Sequence, residues 1–296
     1  MKPGTAIAVR MDIIRTVFQD TFDVVSELNY TASIVSFLEI TNKELRSVAY
    51  EAASMAIALN DFSTAAHSPI TIAVMQGWKA FLNASENQLT HVHVGLGWAI
   101  AKQQINPSCF IKNNLHAMLQ FRVLDGCGYY DGMMRQKQTI KNQVRHSYLD
   151  VENFSAYDQG IGRSIWYISK GDPLKVQQLI HSFSVERHAD LWRGIGIACT
   201  FVGGYDSTVL KTLLSIAEHH STQLGMGAAM VTKSRMMANF NTTEMELACT
   251  TWINLNANAT RQLYIDCEIC AKGSYEKLLL LLQKGIRNAN VPVENH

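Results

Sequence analysis

The sequence predicts an all-α protein built as an array of helical hairpins, and three observations predict it. Apolar residues recur with helical period in several segments, prolines stand where helices would begin, and a Gly-apolar-Gly element returns at near-constant spacing. No convincing series of alternating strand segments bounded by turns competes with this pattern.

The prolines mark the starts. Ser68-Pro69, Asn106-Pro107 and Asp172-Pro173 each place a capping residue before a proline and open an apolar-periodic run. Proline at the first helical position loses no intrahelical hydrogen bond, and the preceding side chain can accept an orphan N–H. After Pro173, residues Val176, Leu179, Ile180 and Phe183 stand at i, i+3, i+4, i+7, and after Ser207 the template returns with Leu210, Leu213, Leu214 and Ala217. Thr243 with Glu246 reads as a capping box ahead of a run from Met245 to Leu255.

The repeat is carried by Gly95-Leu96-Gly97, a looser Gly126-Cys127-Gly128, then Gly160-Ile161-Gly162, Gly194-Ile195-Gly196 and Gly225-Met226-Gly227, spaced 31 to 34 residues apart. Each element is expected to begin a helix, with a polar turn and a second amphipathic helix after it. The clearest units are Tyr157 to Ile168 with Pro173 to Phe183, and Leu191 to Val202 with Ser207 to His219. Glycine inside a helix costs up to about 1 kcal/mol against alanine, so paired glycines imply close backbone approach between neighbours. The alternative is that they merely fall in loops. The arrangement resembles tetratricopeptide-type stacking without its full consensus. The predicted organisation is one domain over residues 1–296, with repeats from about 90 to 240 and flanking helices.

Composition excludes several classes. A chain that is 47% hydrophobic with a formal charge of +1 is not a disordered one. With 26 Lys+Arg against 25 Asp+Glu and no basic run, a nucleic-acid partner is not expected. No apolar stretch approaches the roughly 18–20 residues that span a bilayer. The start Met1-Lys2-Pro3-Gly4 leads into no signal-peptide core, so a cytoplasmic location is expected. Of the six cysteines only Cys267 and Cys270 form a C-x-x-C pair. Within the apolar run Tyr264 to Ala271 they read as two core-facing helical thiols rather than a zinc or redox pair.

The residues that could carry chemistry lie near the glycine elements. His91 and Trp98 share a helix face with Gly95, whereas His93 lies on another, so the histidines are not an i, i+4 metal pair and no metal site is expected. Tyr129, Tyr130, Asp131 and Arg135 fall within a dozen residues. They read either as a structural i, i+4 ion pair or as a cavity wall with a general acid. Tyr157, Asp158, Arg163 and Trp166, then Asp190, Trp192 and Arg193, repeat that chemistry; the structural alternative is inter-repeat salt bridges and packing tryptophans. G-x-G-x-x-G after a strand, a phosphate loop, a nucleophile elbow and a magnesium-binding acidic patch are all missing. An enzyme of this sequence would need no nucleotide, flavin or metal cofactor.

The segments Tyr50 to Ala56, His93 to Ala99, Asp125 to Gly132, Tyr157 to Trp166 and Leu191 to Gly196 together resemble the bacterial DUF1702 family, most specifically over Gln159 to Trp166. The likeness covers roughly Tyr50 to Asp206. Ala52 stands where the family commonly has glycine, and Met134 where it has an aromatic residue. Members are often labelled enediyne biosynthesis proteins because they recur in gene clusters for polyketide-type natural products, which implies secondary metabolism and assigns no catalytic residues. The expected function is a cofactor-independent tailoring enzyme that cyclises or isomerises an apolar polyene- or polyketide-like intermediate in an aromatic-lined cavity. Asp131, Asp158 and Tyr130 would be the acids or hydrogen-bond donors. His91, His93, Trp98, Tyr129, Arg135, Tyr157, Arg163, Trp166, Trp192 and Arg193 would line the cavity and bind the substrate. The alternative is a non-catalytic repeat scaffold for a peptide, carrier protein or reactive metabolite, and exposed end repeats would allow a homodimer.

Overall fold

The structure, a computed structural model, describes residues 3–28, 31–65, 71, 73–145 and 149–291. Among them are fifteen α-helices, a few single 3-10 turns, one π segment at Lys137–Lys141 and no strand. The chain divides into two compact units, Asp12–Gly160 on the one hand and Met1–Met11 with Ile161–His296 on the other. No helix among the described residues is long and apolar enough to cross a membrane.

In chain order the helices are α1 (Pro3–Glu27), α2 (Thr31–Ile40), α3 (Lys43–Thr64), α4 (Gln76–Asn83), α5 (Leu89–Lys102), α6 (Pro107–Asn114), α7 (Ala117–Met134) and α8 (Phe154–Ile168). After them come α9 (Pro173–His181), α10 (Val185–Val202), α11 (Ser207–Ile216), α12 (Ser221–Met237), α13 (Thr243–Ile253), α14 (Ala257–Ala271) and α15 (Tyr275–Ala289).

The unit Asp12–Gly160 is organised by glycine. A Cβ built on Gly95 would stand 2.1 Å from the Glu51 carbonyl oxygen of α3, and one on Gly97 2.2 Å from that of Val123 in α7. Gly126 of α7 meets the Val94 carbonyl of α5 at 2.2 Å in return, and Gly160 of α8 meets that of Asp125 at 2.0 Å. Helices α3, α5, α7 and the first part of α8 thus touch backbone to backbone in succession, and only glycine permits that distance. α4 is started from afar: the Asp61 carboxylate of α3 accepts from the Gly77 and Trp78 N–H groups (3.3 and 2.8 Å), and Trp78 Nε1 donates to Ser54 (2.8 Å). Burial of Asp61 raises its pKa, and these two backbone donors oppose that shift.

The second unit uses the same device. Gly162 lies against the Leu191 carbonyl (2.2 Å to a built Cβ), Gly196 against Leu224 (2.3 Å) and Gly227 against Arg193 (2.4 Å), so α8, α10 and α12 follow one another. α12 also packs on α14, α9 on α11 and α11 on α13. The starts are capped by side chains: Asp172 accepts from Leu174 N and Lys175 N ahead of Pro173, Asp206 from Thr208 N and Val209 N, Asn256 from Ala259 N and Ser274 from Lys277 N. Gly203 and Gly204, with φ +69° and +73°, make the turn after α10, where a Cβ on Gly204 would strike the Arg10 side chain at 2.6 Å.

Three sequence readings change. The Gly-apolar-Gly elements lie inside helices rather than at their starts, because close approach is needed where helices cross. The cap of α13 is Thr242, which accepts from Met245 N (3.0 Å), while Glu246 reaches forward to the Ala257 N–H (2.9 Å) that opens α14. Only Cys267 faces the core; Cys270, three residues on, is exposed, because α14 buries one side alone. Asn106-Pro107 and Asp172-Pro173 open α6 and α9, whereas Ser68-Pro69 lies outside the described residues.

Candidate site in the unit Asp12–Gly160

A seam of buried polar groups runs along the glycine helices of this unit. Asp131 on α7 is 2% exposed and accepts from the Tyr157 hydroxyl of α8 (2.6 Å) and from Arg135, one turn on. Arg135 Nη2 also donates to the Ala101 carbonyl at the end of α5 (2.8 Å). Asp158, fully buried, takes a two-pronged contact from Arg145 (Nε 3.1 Å and Nη2 2.5 Å to Oδ2), whose guanidinium lies 4.2 Å over the Phe154 ring. Asp125 accepts from Gln159 (2.9 Å), and Glu51 sits 4.0 Å from His91 Nδ1. Each buried carboxylate has a donor on a neighbouring element, as burial of a charge requires.

That arrangement limits the chemistry. Asp131 and Asp158 both act as acceptors inside arginine pairs, so they brace helices and are poorly placed to deliver a proton. Burial, reinforced by Asp131, pushes the Tyr157 phenol far above its ordinary range. His93 points Nδ1 at the Leu89 carbonyl (2.7 Å), which makes it the N–H and leaves Nε2 as an acceptor, buried without a hydrogen-bond partner among the described residues. Burial, helped by the charge of Arg122, lowers its pKa to about 4, so the ring is neutral at pH 7.

Beside this seam stands an aromatic cluster in which Trp98 and Tyr129 are buried and Phe18 and Tyr130 half-buried. The Trp98 ring stands 4.9 Å from Phe18, 4.9 Å from Tyr129 at a right angle and 5.5 Å from Tyr130, with Arg135 5.4 Å over the Tyr130 ring. Edge-to-face geometry of this kind suits aromatic quadrupoles. Trp98 Nε1 is buried with no hydrogen-bond partner among the described residues, and the Tyr130 hydroxyl has none either. Tyr130 is half-buried, and burial raises its pKa.

Nine of the thirteen nominated residues therefore fall in this unit. Trp98, Tyr129, Tyr130, Asp131, Arg135 and Tyr157 form one connected group, Asp158 joins Arg145 instead, and His91 faces Glu51 while His93 packs edge-on to Trp78 (5.4 Å). Arg163, Trp166, Trp192 and Arg193 belong to the other unit. There Trp166 and Trp192 are fully buried, and Arg193 pairs with Asp190 (2.5 Å) and reaches Gln223 (3.4 Å). That unit also gathers His181, His188, His219 and His220, with successive ring centroids 3.9 to 6.0 Å apart; burial, then the neighbouring histidines, lower the His220 pKa to about 4. No cluster of three or more His, Cys, Asp or Glu among the described residues is arranged to hold a metal ion.

Sequence reasoning gave no role to Phe18, Glu51, Asp125, Gln159, Arg145 or the histidine group. For Asp125–Gln159 a signal existed, since the two are 34 residues apart, the repeat spacing itself. Arg145 comes from irregular chain and had no periodic signal.

Compared with known protein families, residues 2–278 match the model of DUF1702, described as a protein of unknown function, a wider span than the Tyr50 to Asp206 of the sequence motifs. No curated protein and no solved structure matches the chain.

Proposed function

The chain belongs to the DUF1702 family, and from that premise we propose that it holds an apolar, polyene- or polyketide-like small molecule on the aromatic face of Trp98, Tyr129 and Tyr130, binding it without transforming it. One observation carries this reading: around that face the Trp98 Nε1 and the Tyr130 hydroxyl have no hydrogen-bond partner among the described residues, whereas the nominated acids are paired. Aromatic walls with a few polar groups are the usual lining of small-molecule sites. Arg135, a quarter exposed at the edge of the group, would receive a carboxylate or enolate oxygen of the ligand. The sequence likeness to proteins labelled for enediyne biosynthesis supports a polyene-like ligand over a peptide.

The test is a titration with a fluorescent conjugated tetraene acid, read by emission of the bound polyene. Saturable binding that weakens about tenfold, or 1.4 kcal/mol, in Tyr130→Ser and in Arg135→Gln is expected. No saturation, or equal affinity in both variants, counts against the site.

A second reading, cyclisation or isomerisation of the same ligand without a cofactor, is favoured by the Tyr130 hydroxyl, the nominated donor that no acceptor occupies among the described residues. Its test is a conversion without change of mass when the protein meets the intermediate, lost in Tyr130→Phe. A ligand recovered unchanged leaves the binding reading alone.

A further inference from the structure

We propose that Arg235, in the unit of Met1–Met11 and Ile161–His296, anchors a second binding site that takes the carboxylate of a small apolar acid. Arg235 stands in the last turn of α12 and is 3% exposed. Its guanidinium lies over the rings of Phe201 (4.3 Å) and Phe240 (5.1 Å). Nη2 donates to the Phe201 carbonyl (2.8 Å), while Nε is buried with no hydrogen-bond partner among the described residues. Among the described residues no carboxylate forms an ion pair with it. Glu244, whose charge favours the protonated arginine, instead accepts from Thr243 Oγ1 (3.2 Å). The other groups that act on it electrostatically are Arg10, of like charge, and the phenols of Tyr167 and Tyr205.

An internal comparison shows what is missing. Arg135 makes the same contact in the other unit, donating Nη2 to Ala101, 34 residues earlier, as Arg235 does to Phe201, also 34 residues earlier. Arg135 has Asp131 one turn before it as counter-ion, and the corresponding position before Arg235 is the buried Val231. The arginine and its carbonyl recur without the acid. A purely structural reading would make Arg235 a cap for the end of α10, whose last carbonyls carry about half a negative charge. But Arg10 Nε takes the adjacent Val202 carbonyl (2.6 Å), so that half charge is shared with a second guanidinium. Burial first, then Arg10, pulls the Arg235 pKa down to about 10, as expected for a cation short of compensation.

The free edge and the rings define the ligand. A guanidinium whose buried Nε lacks a partner among the described residues offers a planar fork that suits a carboxylate. Phe201, Phe240 and Tyr205 would accept an apolar body and disfavour a more strongly hydrated dianion such as phosphate.

The experiment is calorimetric titration of benzoate, benzyl alcohol and inorganic phosphate into the full chain at pH 7 and low chloride. Saturable benzoate binding is expected, with none for the neutral alcohol. It should fall at least about tenfold in Arg235→Met and in Val231→Asp, which restores the internal counter-ion; both changes lie outside the aromatic face, so the site stands or falls apart from it. Arg235→Lys, which keeps the charge and loses the fork, should give an intermediate loss even where the Met variant fails to fold. Absence of saturation, or equal affinity in Val231→Asp and Arg235→Lys, overturns the site. Stronger binding of phosphate than benzoate overturns its assignment to a carboxylate.

Discussion

Replacing Gly97 by alanine should loosen the unit Asp12–Gly160 more than any ordinary surface change. The added Cβ would sit 2.2 Å from the Val123 carbonyl oxygen and 2.9 Å from both the Cys127 nitrogen and the Gly126 Cα. All three are backbone atoms, so no rotamer change relieves the clash. Ordinary contact begins near 3.4 Å, and α5 and α7 must part until the 2.2 Å distance reaches it. A gap of 0.5–1 Å forfeits roughly a quarter to a half of the dispersion energy across an interface. Overpacking of this sort typically costs about 1–3 kcal/mol, and here it cannot be absorbed by side chains, so the upper end applies. Alanine returns about 1 kcal/mol of helix propensity, leaving a net loss of about 2 kcal/mol, or about 4–8 °C in melting temperature. Gly285→Ala is the control. Its Cβ would meet the flexible tip of Leu263 at 2.6 Å, so it should be neutral or slightly stabilising. Thermal unfolding followed by circular dichroism measures both. Equal behaviour of the two variants would refute the claim that backbone contact at glycine holds these helices together.

Other expectations follow from the buried groups. Asp131→Asn should cost about 2–4 kcal/mol in denaturant unfolding, since it leaves Arg135 without its counter-ion, with the loss tempered by the arginine's partial exposure; a change below about 0.5 kcal/mol would contradict the bracing role. His93 binds its proton near pH 4 in the folded chain and near 6.5 when unfolded, so above pH 6.5 it contributes nothing to the pH dependence. Between 6.5 and 4 the unfolded state takes up the proton first and stability falls, by about 2–3 kcal/mol at pH 4.5. His93→Gln should flatten that part of the curve, and an unchanged slope would argue against burial of the neutral ring. Cys270→Ser should remove a fast-reacting thiol in a disulfide-exchange assay, whereas Cys267→Ser should not, because burial raises the Cys267 pKa.

Much of this was legible beforehand, for a physical reason. The recurring glycine pairs announced helices in backbone contact, since nothing but close approach repays glycine inside a helix; the contact falls on Gly95, Gly97, Gly126 and Gly160 in one unit and on the second glycines Gly162, Gly196 and Gly227 in the other. Asp172-Pro173 announced the start of α9 because its capping geometry is local. What sequence could not settle was longer in range. Asp131 and Arg135 at i, i+4 permitted a brace or a catalytic acid, and only the Tyr157 hydroxyl arriving from α8 favours the brace. Asp158 finds its partner in Arg145, which sits in chain without periodicity. Thr242 rather than Thr243 caps α13 because the cap is the residue with extended dihedrals, and two adjacent threonines look alike in sequence. Arg235 was invisible for the opposite reason: its meaning lies in an acid that Val231 replaces.

The central claim concerns a ligand on the face of Trp98, Tyr129 and Tyr130, and the most direct measurement is the position of a bound conjugated polyene acid in a crystal structure of the complex. The account predicts a polyene chain in van der Waals contact with the Tyr130 ring and its acid oxygen within hydrogen-bond distance of Arg135 or of the Tyr130 hydroxyl. A ligand seated away from these residues, with Trp98 and Tyr130 unchanged beside it, would contradict it.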